Sequence, residues 1–234
     1  MRNPRRIVLT DEILVKHNLS TAPPPPDSLF WQMWRSCEPI ARQALETPFI
    51  QGIAAGTLDP VCYGGFNVSD TYYCFSGAHD YSVAAERAKD PTVEAFLTLK
   101  HESYRKYNAT FPGTWHVRDA AGIVPLDVCR QYSEYETGVA SREDPIYSLV
   151  VMLPCEYLWY WLATQLQPVK PQNLYAPWVT GNDDSRGPYA IGNFLDSFQK
   201  AHPDVLDPQK AIEIYTRATS YEHLNFAAAL PAGT

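Results

Sequence analysis

An all-α helical bundle is the fold class the sequence predicts, and three observations predict it. An aspartate followed by proline recurs at Asp59-Pro60, Asp90-Pro91, Asp144-Pro145 and Asp207-Pro208, each time opening a long stretch with helical periodicity. An aspartate side chain accepts hydrogen bonds from the free N–H groups of a first turn, and a proline at the first helical position has its φ already set. No alternating polar and apolar run bounded by hairpin turns competes with these stretches. The chain has 234 residues, 45% hydrophobic and 13% aromatic, enough to bury one large core as a single domain.

Taken in order, residues 1–27 end in the run APPPPD, which can continue neither a helix nor a sheet ladder. They read as an N-terminal arm outside the core, and 28–234 as the helical domain. Helical periodicity then places helices over about 28–46, 60–88, 91–108, 125–141, 145–166, 188–201 and 208–230. The connections are rich in Gly, Pro and Asn, and VTGNDDSRGP (179–188) has the composition of a flexible loop.

Inside the 145–166 segment stands LVVMLPCEYLWYW, residues 149–161, an apolar run interrupted by Pro154, Cys155 and Glu156. Glu156 divides it into uncharged runs shorter than the roughly 20 residues a bilayer needs, so it is a core helix and not a membrane span. Pro154 removes one backbone donor, and a kink there is expected to leave the carbonyl of Val150 unpaired and to tilt Cys155 toward a cavity.

Three polar groups fall on otherwise apolar helical faces. Phe66, Asp70, Tyr73 and Gly77 share one face of the second expected helix. Asp70 therefore points inward and needs a partner there, either an arginine, a neighbouring helix end, or the N–H groups of a ligand. In the last helix Ala211, Tyr215, Ala218, Glu222, Phe226 and Ala229 share a face, which makes Glu222 a second inward carboxylate among small residues. Cys155 lies one turn before Trp159 on one face; a cysteine so placed is either packing or a nucleophile. Tyr132 and Tyr135 sit three apart and read, by themselves, as core tyrosines.

Several function classes are excluded by composition. A formal charge of −7, with basic residues clustered only at Arg2, Arg5 and Arg6, leaves no surface to neutralise phosphates, so nucleic acid is not an expected partner. Those arginines are followed by RIVLTDEILVKHN, broken by Asp11, Glu12, Lys16 and His17, so the signal-peptide pattern is absent and a cytoplasmic protein without membrane contact is expected. Cys37, Cys62, Cys74, Cys129 and Cys155 are odd in number and form no CxxC pair, which reads as reduced thiols. The six histidines show no helical ligand spacing, so no metal site is expected. GxSxG, Walker and GxGxxG motifs are absent.

Taken together, six stretches resemble the TenA/thiaminase II family of small all-helical enzymes with a haem-oxygenase-like fold. TPFIQGIAAGTL is similar to the family's HPFxxxLxxGTL helix, and SDTYYC to its QDxxYL element. YSEYETGVA, MLPCEYLWYW, LYAPWV and TSYEHLNF follow in family order, over about residues 45 to 230. The LPC element is the most specific of them.

Position by position, the resemblance implies Cys155 as nucleophile, Glu222 as the acid/base, and Asp70 as the group that grips an aminopyrimidine ring, with Tyr73 and Tyr132 lining the pocket. Trp159 stands where many members have a tyrosine, Asn182 near the place of a further pocket tyrosine, and Glu156 is an unusual neighbour for the cysteine. The implied activity is cofactor-independent hydrolysis of an aminopyrimidine, or a related heterocycle, at the carbon attached to the ring, in thiamin salvage or degradation. A homo-oligomer, tetramer or dimer, is the implied assembly. A non-hydrolytic heterocycle-binding protein and a metal-dependent oxidase on the same fold stand as alternatives.

Overall fold

The computed structural model describes residues 19–230, and every regular element among them is helical. The order is α1 (Leu29–Leu45), α2 (Pro48–Ala55), α3 (Pro60–Arg87), α4 (Pro91–Asn108), α5 (Phe111–Thr114), a 3₁₀ turn (Ala120–Gly122), α6 (Asp127–Arg142), α7 (Tyr147–Gln165), α8 (Ala176–Asn182), α9 (Arg186–Ala201) and α10 (Pro208–Ala227).

Asp59, Asp90 and Asp207 cap α3, α4 and α10, each accepting from a backbone N–H of the first turn, with proline at the first helical position. Asp144 differs. Its carboxylate accepts from the N–H of Ile146 at 3.2 Å, and the next amides close tight turns before α7 begins at Tyr147. The same device, with threonine in place of aspartate, opens α2: Thr47 caps it and Pro48 follows. Periodicity alone passed over α2, a helix too short to show a repeat.

The expected loop over 179–188 is mostly helix. Residues to Asn182 complete α8, and α9 starts at Arg186, leaving a three-residue turn. Asp184 closes it by accepting from the Arg186 backbone N–H at 3.0 Å and pairing with its guanidinium at 2.7 Å.

The described part of the arm packs on the bundle. Asn193 of α9 donates to the carbonyls of Ser20 and Ala22, at 3.1 and 2.8 Å, and Trp31 of α1 donates to that of Pro24 at 2.8 Å. Pro24 is buried, and Gly192 makes room: a Cβ there would meet Phe30 at 2.5 Å and Pro24 at 3.0 Å. The arginines and charged residues of 2–17 lie outside the described residues.

Helix α7 is the axis of the bundle and touches α3, α6, α8, α9 and α10. It is buried on nearly every side from Tyr147 to Trp159, the pattern of a helix apolar all round. The helix continues through Pro154 without a break. None of the five cysteines is in a disulfide, and no described helix is long and apolar enough to cross a membrane.

Candidate active site

Helix α7, which carries Cys155, packs against α10. Trp159, one turn after the cysteine, donates its indole N–H to Glu222 Oε2 at 2.9 Å, and all three side chains are buried. A hydrogen bond from an uncharged donor to a carboxylate stabilises its ionised form. Around this pair lies an aromatic wall: Phe66 and Phe226 stack at 5.4 Å, and Trp159 meets Phe226 and Trp178 at 5.3 Å each.

A second wall comes from α3 and α6. Asp70 and Tyr73 fall on the inward face of α3, both buried, with the Cys74 thiol 4.0 Å from Asp70 Oδ2. The ring of Tyr73 lies 5.0 Å from that of Tyr132 on α6, and Tyr132 stacks on Tyr221 of α10 at 5.5 Å and 12°. Burial pushes the Tyr132 phenol well above its ordinary value, and the charges of Glu136, Glu222 and Cys155 add to that, so these groups share one neighbourhood. Tyr73 donates its hydroxyl to Glu136 Oε1 at 2.8 Å. Burial holds the carboxyl of Glu136 well above the usual range.

Two contacts of the Cys155 sulfur bear on where its proton lies. The sulfur lies 3.0 Å from the carbonyl of Met152, which can only accept, and 3.2 Å from the hydroxyl of Tyr104 on α4. With the thiol proton directed at Met152, the Tyr104 hydroxyl is the donor to sulfur. The approach depends on Gly77, where a Cβ would stand 2.6 Å from Met152 Cε and 3.0 Å from the Tyr104 ring.

Glu156 has its explanation in α4. It forms a salt bridge with Lys100, whose side chain is 0% exposed. Gly187 at the start of α9 leaves space for its other oxygen, 2.7 Å from where a Cβ would be. The partner is thus a buried lysine.

Of the predicted residues, Cys155, Glu222, Trp159, Tyr73 and Tyr132 converge, and Asp70 lies one turn from Tyr73 on the same face. Asn182 spends its amide N–H on the carbonyl of Trp178 at 2.7 Å, at the end of α8. The Trp178 ring, one turn earlier, is what reaches Trp159. Tyr104, Lys100, Glu136 and Tyr221 went unrecognised in the sequence. A signal existed for two of them: Lys100 and Glu136 each sit on an otherwise inward face, with Phe96 and Tyr104 or with Cys129 and Tyr132. Among the described residues no group of His, Cys, Asp and Glu is arranged to hold a metal ion.

The model of the TENA/THI-4/PQQC family matches residues 34–230. An aminopyrimidine aminohydrolase of Halalkalibacterium halodurans is 22% identical over 158 residues, which cover 63% of this chain and 70% of the relative. Among solved structures, a TenA homologue from P. horikoshii OT3 superposes with a TM-score of 0.73 at 16% identity, covering 86% of this chain and 98% of that one. A TenA homologue from Pyrococcus furiosus gives 0.74 at 16%, covering 86% and 100%. A TenA family transcription regulator from Silicibacter sp. TM1040 gives 0.73 at 16%, covering 88% and 99%. The fold they share is the haem-oxygenase-like all-α bundle.

Proposed function

The chain belongs to the TENA/THI-4/PQQC family, and on that premise we propose that it is a cofactor-independent hydrolase of aminopyrimidines, with Cys155 as nucleophile and Glu222 as the proton-transfer group. The observation that supports this reading is the placement of the two groups, linked through Trp159. Cys155 and Glu222 lie on packed helices, and Trp159, on the cysteine's own face, holds Glu222 by a hydrogen bond of 2.9 Å. The aminohydrolase name of the Halalkalibacterium relative supports the same reaction class.

A thiol at its ordinary pKa is only a few per cent thiolate at neutral pH, so its proton must be taken up nearby. Glu222 takes it, and the Tyr104 hydroxyl donates to the sulfur left behind, favouring the thiolate. The S–C bond forms at an electron-poor ring carbon, and the ring electrons move onto the nitrogen side held by Asp70. Those electrons return to expel the amine from the exocyclic methylene, with the Glu222 proton transferred to the departing nitrogen. Water then adds to the methylene carbon and gives its proton to Glu222. Loss of the Cys155 thiolate restores the aromatic ring, so that amine plus water becomes alcohol plus ammonia. Tyr73, Tyr132 and the aromatic wall hold the ring flat against the nucleophile.

The test is turnover of aminomethyl-aminopyrimidine and of thiamin by the purified chain, beside Cys155→Ala. Loss of about 10³-fold or more in the variant is expected for a nucleophile that acts with a base as one unit. Equal turnover by the variant would sink the mechanism, and ligand binding with no turnover of any pyrimidine would sink the hydrolase reading.

A further inference from the structure

Glu136 has no part in the chemistry just described, yet it is 0% exposed and bonded to a pocket tyrosine. We infer that Glu136 is a positioning residue that fixes Tyr73 as a hydrogen-bond acceptor toward the ligand, so that the pocket selects a ring amino group over a ring carbonyl; this rests on the aminopyrimidine reading of the site.

Tyr73 has one O–H, and it is spent on Glu136 Oε1 at 2.8 Å, inside the bundle where no bulk water competes. What Tyr73 has left to offer is a lone pair. Asp70, three residues earlier on the same face of α3, is a second acceptor. An exocyclic amino group has two hydrogens and satisfies both. A carbonyl in the same place would meet two acceptors and leave all of them unpaired, which is how a polar pocket rejects the wrong substituent.

The arrangement holds only if Glu136 accepts from Tyr73 in the resting site, and its surroundings favour that. Facing it are Tyr73, Asp80 and Tyr81 of α3, Tyr132 one turn back on α6, and Glu222 of α10, with no cation among them. Burial first, and then the charges of Asp80 and Glu222, push its carboxyl well above the usual range against the pull of the Tyr73 hydrogen bond, and that shift favours the protonated form. Its proton belongs on Oε2, which has no hydrogen-bond partner among the described residues, as is also true of the buried Tyr132 hydroxyl.

A neutral acid is mimicked by glutamine and not by leucine, which sets the experiment. Calorimetric affinities of the full chain would be compared for aminomethyl-aminopyrimidine and its oxo analogue, in wild type, Glu136→Gln and Glu136→Leu. Wild type and Glu136→Gln are expected to prefer the amino compound, and Glu136→Leu to lose at least about tenfold of that preference, because Tyr73 is then free to donate. Should the leucine variant not fold, Tyr73→Phe replaces it and is expected to weaken the amino compound selectively. An unchanged ratio in Glu136→Leu or Tyr73→Phe, or a glutamine variant as impaired as leucine, would overturn the inference. A ligand-free readout separates it from the hydrolase reading: the infrared difference between wild type and Glu136→Gln is expected to contain the stretch of a protonated carboxyl. Its absence overturns the inference even if the enzyme turns over, whereas missing turnover with the band and the affinity ratio intact overturns only the hydrolysis.

Discussion

Replacing Asp80 by asparagine is expected to stabilise the protein, and by an amount that grows with pH. Asp80 on α3 is 2% exposed and accepts the Thr137 hydroxyl at 2.9 and 3.1 Å through its two oxygens, with no ion pair among the described residues. Burial pushes its carboxyl up to about 7, against the opposing pull of the Thr137 hydrogen bond. A carboxyl whose folded pKa lies above its unfolded one binds its proton more tightly when folded. Its stabilising contribution is therefore whole below the ordinary value of 3.8 and is lost as pH rises to about 7. At about 1.4 kcal/mol for each pH unit, the loss over that window is roughly 4 kcal/mol, somewhat less where the denatured chain keeps some structure. Asparagine keeps an oxygen for Thr137 and carries no charge. Urea unfolding followed by tryptophan fluorescence is expected to find the two proteins within about 1 kcal/mol near pH 4, and Asp80→Asn ahead by about 3 kcal/mol near pH 8. A gap that does not change with pH would refute the reasoning, because it would mean that Asp80 is ionised throughout.

Two further outcomes are expected. Lys100→Met leaves Glu156 buried without its partner and is expected to cost roughly 3–5 kcal/mol by urea unfolding, with most of that recovered in Lys100→Met/Glu156→Leu; a double variant no better than the single would show that the two do not act as a pair. Trp159→Phe removes the indole donor from Glu222, a bond worth about 1.5–3 kcal/mol where the acceptor is ionised, so kcat/KM for an aminopyrimidine is expected to fall about 10- to 150-fold. An unchanged kcat/KM in Trp159→Phe would show that this bond does not hold Glu222 for the reaction.

Much of the bundle was legible because its signals are local. An aspartate or threonine followed by proline carries both the cap and the set φ of a first turn, and α2, α3, α4 and α10 begin on that pair. Inward carboxylates were legible too, since Asp70 and Glu222 stand out on apolar faces and both are buried. Their partners were not. Trp159 and Glu222 are 63 residues apart in the chain, as are Tyr73 and Glu136, and Lys100 and Glu156 are 56 apart. Helical period tells which way a side chain points and is silent on which helix stands there. Glu136 was missed although Cys129 and Tyr132 share its inward face, because exposed Glu134 and the tyrosines of YSEYETG crowd it in the sequence.

Glu156 shows what such partners accomplish. A helix apolar on every side is buried equally well at any rotation about its own axis, so hydrophobic burial alone leaves the azimuth of α7 open. Polar contacts close it. Cys155 meets Tyr104 of α4, Glu156 meets Lys100 one turn earlier on the same α4, and Trp159 meets Glu222 on α10. Any other rotation strands Lys100 and Glu156 in the core without each other, at a cost of several kcal/mol, and takes the indole from Glu222 as well. The glutamate that interrupts the apolar run thus fixes the register in which the residue before it, Cys155, meets Tyr104. A buried ion pair adds little net stability over apolar packing, and its use here is to exclude the alternatives.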